Sequence, residues 1–306
     1  MALNEAFGFE ERWLRLLIKA VPSDAALLSA DSLRSQAGMA DAQYRLGGIG
    51  NRQVLALRDW AKATGIIEFA VDRRCYLSPF GALLLRLDPG LEELSTFWAI
   101  HHRLCISEDI WFYARYANAM KLGQFSRHQL EQCLREGKKY SDSFLDKKVL
   151  TPLLHTMKGT KLGTELGLLV PLGDGAYQRR MPDERRLEST VLAYMIVDWC
   201  AKRGRTTVHL SELTAWGAPG SYLALDAEHL ADMLRRIQEK HSSRILSISR
   251  TAGLNSVALG DDLRAESVLA CGYLERLEQL DPAVALRKAA DLTEQTAGGN
   301  DGRLFN

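Results

Sequence analysis

The chain has 306 residues, 46% apolar and 25% charged, and its 39 basic and 38 acidic side chains leave a net charge of +1. That apolar content suffices for one large core or two to three small ones, and it excludes both a disordered chain and a protein that is basic everywhere. No apolar run approaches the ~20 residues needed to span a bilayer. The opening Met1-Ala-Leu-Asn-Glu5 lacks the basic-then-apolar order of a signal peptide, so a cytoplasmic protein is expected.

Phe9, Trp13, Leu16, Leu17 and Ala20 recur at helical spacing, and Pro22-Ser23-Asp24 ends that helix. A short second helix is predicted over 31–38 with Asp31 as its N-cap, followed by a glycine-rich turn at 47–50. From Asn51 a third helix runs toward Gly65. Val54, Leu57, Trp60 and Ala61 fall on one side of it, while Arg52, Arg58, Asp59 and Lys62 occupy the neighbouring arc, interrupted only by Leu55. Ile66-Ile67 then begins an extended segment and Arg73–Leu77 returns as a second strand. Helix, helix, helix and hairpin in that order predict a winged helix over residues 1–80. Gly48-Ile49-Gly50 does not form a dinucleotide loop, because no apolar strand leads into it and no third glycine follows.

Beyond Ser78-Pro79-Phe80, aromatic-rich helical patterns over 88–104, 111–116 and 126–136 predict a helical middle domain at 81–172. The polar, glycine-rich run 173–183 suggests a domain boundary. Helical patterns at 187–203, 209–213 and 227–240, the last capped by Asp226, lead to a hairpin at 245–259. This repeats the first module's order and predicts a second winged-helix-like domain at 173–262, then a helical segment at 263–292 and a frayed tail at 293–306. The fold class expected is mainly α with small β wings (α+β), with tandem winged-helix-like modules flanking a helical middle.

The near-neutral average conceals a local imbalance: residues 45–74 carry six basic against three acidic side chains, and residues 261–306 carry five against nine. A basic patch on a neutral protein suits phosphate contact of modest affinity. Arg45, Asn51, Arg52, Arg58, Lys62, Arg73 and Arg74 are the candidate DNA-binding residues. Asn51 and Arg52, at the helix start, would reach base edges or phosphate. Arg58 and Lys62 would touch phosphates, and Arg73 and Arg74 would meet the backbone or minor groove from the wing. A merely solvated helix face explains the stripe equally well when taken alone. Trp60 reads as core rather than as a stacking platform.

A nuclease acting through a divalent ion needs carboxylates, often with a histidine. Asp88, Glu92 and His101 are the candidates, with Asp88 and Glu92 as metal ligands one helical turn apart if a helix begins at Pro89. Packing offers the alternative: Asp88 as a cap, Glu92 complementing the helix dipole, and His101 hydrogen-bonded among aromatic rings. Glu136-Gly137-Lys138 has the spacing of a restriction-type carboxylate and lysine but lacks a hairpin with the companion aspartate. Cys75, Cys105, Cys133, Cys200 and Cys271 are odd in number with no Cys-x-x-Cys pair, so free, buried thiols are expected.

The run Phe9-Glu-Glu-Arg-Trp13-Leu14, then Leu46 to Val54 through Trp60 and Gly65-Ile66-Ile67, then Leu77-Ser-Pro-Phe80-Gly81, resembles a bacterial family of unassigned domains found beside DNA sulfur-modification genes. Asp88-Pro89, Leu91-Glu92, Thr96, Trp98, His101, Trp111 and Asn118 are similar to that family's middle-region signature. One branch of the family is the DNA-nicking component of Ssp-type phosphorothioation systems, which place sulfur at a non-bridging phosphate position and support phage defence. The resemblance therefore implies a nicking endonuclease assisted by Mg²⁺ or Mn²⁺ and acting on double-stranded DNA. It also implies a cysteine desulfurase, an ATP-dependent sulfurtransferase and an ATPase as partners, with a homodimer left open. The alternative is a non-catalytic winged-helix adaptor or transcriptional regulator that recruits the sulfur-transfer enzymes to DNA.

Overall fold

The computed structural model describes residues 7–135, 139–251 and 254–298, and the chain divides into two compact units after Arg180. The first opens with helices α1 (Glu11–Ala20), α2 (Ala30–Arg34), α3 (Gln36–Arg45) and α4 (Asn51–Ala63), followed by the antiparallel hairpin of β1 (Ile67–Phe69) and β2 (Cys75–Leu77). Trp13, Leu14, Leu17 and Ile18 form the buried stripe of α1. The single helix expected over 31–38 is instead divided in two. Ser29 accepts the Ser32 N–H at 3.1 Å and Ser35 accepts the Gly38 N–H at 3.0 Å, so each serine starts a helix and Asp31 lies in the first turn of α2 rather than at its cap. The Cys75 N–H donates to the Ala25 carbonyl at 2.7 Å, fastening the segment before α2 to β2.

Helix α5 (Pro79–Leu87) begins where Ser78 accepts the Gly81 N–H at 2.9 Å and donates to the Gly65 carbonyl. A Cβ built on Gly81 would lie 2.1 Å from the Ile66 carbonyl oxygen, a contact only glycine permits. Gly81→Ala should therefore force α5 off the hairpin and destabilise the chain by about 1–3 kcal/mol, seen as a lower urea midpoint at unchanged slope. A midpoint equal to the parent's would mean that the helix start moves at no cost.

The first unit continues with α6 (Leu94–Cys105), α7 (Trp111–Ala119), β3 (Gly123–Ser126), α8 (Arg127–Arg135), α9 (Asp142–Leu145), α10 (Thr151–Gly159), α11 (Lys161–Leu166), β4 (Leu169–Gly173) and β5 (Ala176–Arg179). The three strands form an antiparallel sheet in the order β3-β5-β4. The middle region is therefore not wholly helical, and the run 173–183 first closes the β4–β5 hairpin before the division after Arg180, which falls inside it. Gly173, Asp174 and Gly175 have φ of 93°, 47° and 73°, and these left-handed residues reverse the chain between β4 and β5. Turns and linkers share that composition, which is why the sequence does not separate them. The Glu136–Lys138 pair lies outside the described residues.

The second unit comprises α12 (Ser189–Ala201), β6 (Thr207–His209), α13 (Leu210–Leu213), α14 (Pro219–Tyr222), α15 (Ala227–Lys240), β7 (Leu246–Thr251), β8 (Leu254–Leu259), α16 (Ala265–Leu277) and α17 (Pro282–Gly298). Helix α12 is buried from Thr190 to Cys200 and packs against α15 and α16, so it forms this unit's core. Asp226 caps α15 by accepting the His229 N–H at 2.9 Å. The sheet order is β6-β8-β7, again with the hairpin's second strand in the centre. Helix α17 runs into the segment expected to fray. Its buried Thr293 hydroxyl bonds that of Ser267 at 2.5 Å, so the apolar pattern is extended by a polar anchor. The chain is thus mainly helical and of α+β class, with three small antiparallel sheets among the described residues. No described helix is long and apolar enough to cross a membrane.

Candidate nucleic-acid interface

Helix α4 is positioned from both ends and along its inner face. Gly47 and Gly48 have φ of 83° and 75°, the Gln43 side chain donates to the Ile49 carbonyl at 2.9 Å, and Gln53 accepts the Gly50 N–H at 2.8 Å. Val54, Leu57, Trp60 and Ala61 are buried together, and the Trp60 indole N–H donates to the Phe7 carbonyl at 3.0 Å. Trp60 meets Phe9 and Phe112 edge-to-face at 5.9 and 6.3 Å, so it is core, as its place on the apolar side predicts.

On the outer arc, Asn51, Arg52 and Lys62 are exposed, with Arg58 half-buried. Several of the basic side chains meet acids or rings. The Arg58 guanidinium lies 4.7 Å from the Phe69 ring centroid, and Lys62 pairs with Asp109 at 3.0 Å. Arg45 pairs with Asp41 at 3.0 Å and Asp24 at 3.9 Å, Arg73 with Asp31 at 3.7 Å, and Arg74 with Asp72 at 3.5 Å. These ion pairs are solvent-exposed, and such pairs contribute about 0–1 kcal/mol, so a phosphate can replace the carboxylate at small cost. Arg73 takes φ of 65°, and Val71 beside it is fully exposed.

The acidic candidates are arranged otherwise than helical spacing suggests. Helix α6 begins at Leu94, not at Pro89, and Asp88 ends α5. The Asp88 carboxylate is buried and accepts the backbone N–H groups of Glu92 at 2.9 Å and Glu93 at 3.1 Å and the Thr96 hydroxyl at 2.5 Å. It thereby fastens the 88–96 turn. Glu92 is exposed and folds back over Gly90. His101 lies five residues beyond Thr96, roughly 7.5 Å further along the α6 axis.

His101 is buried in an aromatic cluster. Its Nδ1 is 2.8 Å from the Tyr113 hydroxyl, and its ring meets Trp98 and Tyr113 edge-on. Burial, reinforced by the Arg179 and His102 charges, pushes its pKa down to about 3, so the imidazole is neutral. An unfolded histidine takes up a proton near pH 6.5. Between pH 6.5 and about 3 the unfolded state therefore binds a proton that the folded state refuses, and stability falls as pH drops, by up to about 1.4 kcal/mol per pH unit. His101→Gln should flatten the decline in melting temperature between pH 7 and 4; an identical decline in parent and variant would mean that His101 is not the group responsible.

In the second unit, His241 at the end of α15 meets Cys271 and Glu275 on α16. Their ligand atoms lie within 4.8 Å of one another. The Cys271 thiol donates to Glu275 Oε1 at 3.5 Å, and His241 Nδ1 is 3.7 Å from the same oxygen. Glu275 Oε2 is held by Lys240 at 2.5 Å and by the Thr190 hydroxyl at 3.3 Å. Both His241 ring nitrogens are buried without a hydrogen-bond partner, a condition that costs about 1–3 kcal/mol for each group left unmet. This cluster is not legible in the sequence. Its one local signal is Cys271 and Glu275 four residues apart, which share a helix face; His241 joins them only through tertiary packing.

DUF4007, a family of proteins of unknown function, matches residues 2–152 and 160–273. The chain belongs to that family. Two solved structures match this family member over nearly their whole length. One is an SspB crystal structure with a magnesium ion bound, at TM-score 0.71 and 21% identity, covering 95% of this chain and 94% of that one. The other is an SspB crystal structure at the same score and identity, covering 94% and 93%. That likeness establishes a shared fold. No curated protein matches the chain.

Magnesium requires near-octahedral oxygen coordination. The buried Asp88 oxygens already accept two backbone N–H groups and a hydroxyl, and His101 is turned to Tyr113. The second cluster offers one carboxylate against a thiol and an imidazole. Neither set fits a magnesium ion.

Proposed function

We propose that this chain is a double-stranded DNA-binding component of an Ssp-type phosphorothioation system, and that its first 80 residues read DNA as a winged helix. The observation that carries the reading is that the helix start and the hairpin tip, the two parts of a winged helix that meet DNA, are both exposed and carry cations: Arg52 beside the polar Asn51 on α4, and Arg73 and Arg74 between β1 and β2. The Cys75–Ala25 hydrogen bond supports it further, because it adds the edge contact that a winged helix makes between its first extended segment and its hairpin. The sheet order β6-β8-β7 after α12 supports a second winged-helix-like module from α12 to β8, without residues 173–180, which belong to the first unit. The near full-length likeness to SspB supports the system, and the resemblance over residues 7–130 implies the desulfurase, sulfurtransferase and ATPase as partners. The test is fluorescence anisotropy of a labelled duplex across a salt series. Binding should weaken linearly in log–log form; a duplex unbound even at low salt would refute the reading.

The magnesium in the matching SspB crystal favours a second reading, a metal-assisted nicking endonuclease. On this reading the chain relaxes supercoiled plasmid with Mg²⁺ or Mn²⁺ and stops with EDTA. A preparation that binds duplex DNA but leaves plasmid supercoiled under those conditions is the adaptor instead.

A further inference from the structure

We propose that His241, Cys271 and Glu275 form a site for a borderline-soft divalent cation, zinc first among them, in the second unit. Tetrahedral zinc bonded to sulfur at about 2.3 Å and to nitrogen and oxygen at about 2.0–2.2 Å places those ligand atoms roughly 3.3–3.7 Å apart. The Cys271 Sγ–Glu275 Oε1 separation of 3.5 Å and the His241 Nδ1–Glu275 Oε1 separation of 3.7 Å already have that spacing. The triangle needs only His241 and Cys271 to close on each other.

Packing does not explain the arrangement. The His241 side chain is 1% exposed, yet neither ring nitrogen has a hydrogen-bond partner, and a buried polar group in that state calls for a ligand. Lys240 and Thr190 take Glu275 Oε2 and so aim Oε1 at the other two ligands, as outer hydrogen bonds do in metal sites. The Lys240 charge opposes a cation and sets the affinity below that of a four-ligand structural site. His241, but neither Cys271 nor Glu275, also lines a cavity of about 100 Å³ bordered by Ser242 and Asp281, which gives water a route to the imidazole side of the site. A thiol and an imidazole among three ligands select zinc over magnesium. As the zinc–sulfur bond forms, the Cys271 proton leaves to solvent.

The test uses the full chain without a polyhistidine tag, loaded with Co²⁺ as a spectroscopic stand-in. One equivalent should give visible d–d bands of tetrahedral intensity and a near-ultraviolet thiolate charge-transfer band, all bleached by Zn²⁺. Cys271→Ser should abolish the charge-transfer band and Glu275→Gln should weaken binding at least tenfold, while Cys200→Ser, a buried thiol elsewhere, leaves both intact. X-ray absorption on the zinc-loaded parent needs no variant and should show one sulfur among light-atom ligands. A parent without the charge-transfer band, a band that survives Cys271→Ser, or a zinc shell of nitrogen and oxygen alone would overturn the proposal.

Discussion

Replacing Arg52, Arg73 and Arg74 together by alanine is expected to lower duplex affinity about a hundredfold near 0.15 M salt and to reduce the log–log salt slope by about 2–3. Each phosphate contact contributes roughly 0.9 to that slope, and three lost contacts sum to such an effect. The fold should survive, because the side chains of Arg73 and Arg74 are 65% and 63% exposed and their ion pairs contribute little. Arg58→Ala should cost less than any one of these, since the half-buried Arg58 guanidinium lies 4.7 Å from the Phe69 ring centroid and is not free to extend fully to DNA. A triple variant that binds with the parent's affinity and slope would place the DNA surface elsewhere in the chain.

Asp88→Ala is the second large effect, and it is expected in stability rather than in catalysis. Removing the carboxylate leaves the N–H groups of Glu92 and Glu93 and the Thr96 hydroxyl without their buried acceptor, a loss of about 2–4 kcal/mol. Glu92→Gln, at an exposed position, should change stability by less than about 0.5 kcal/mol. Chemical denaturation of both variants decides between the two roles the sequence leaves open. If Asp88→Ala is as stable as the parent yet loses a nicking activity that the parent has, Asp88 is a catalytic ligand and the turn does not depend on it.

What was legible in the sequence was what local periodicity encodes. The buried side of α4, the hairpin after it, the Asp226 cap and the division of α4 into core and solvent faces all follow from spacing within one turn or one strand. What escaped it depends on partners far along the chain. The strand at 123–126 is held by 176–179, and the strand at 207–209 by 256–258, so runs of three or four residues with one buried apolar side chain each, Phe125 and Val208, become strands only through pairing. The turn at 173–175 has the composition of a linker, and Asp88-Pro89 has the composition of a helix start, yet hydrogen bonds to Glu92, Glu93 and Thr96 make it a turn. His241 stands thirty residues before Cys271, a separation at which no spacing rule operates.

The most direct test of the DNA-binding account is site-specific photocrosslinking of the full chain to a labelled duplex, with a photoreactive residue placed in turn at Asn51, Val71 and Glu228. The first two stand at the start of α4 and on the β1–β2 hairpin, and Glu228 is an exposed position on α15 in the second unit. Crosslinks from positions 51 and 71 and none from 228 are the predicted result. Crosslinks from 228 with none from 51 or 71 would contradict it.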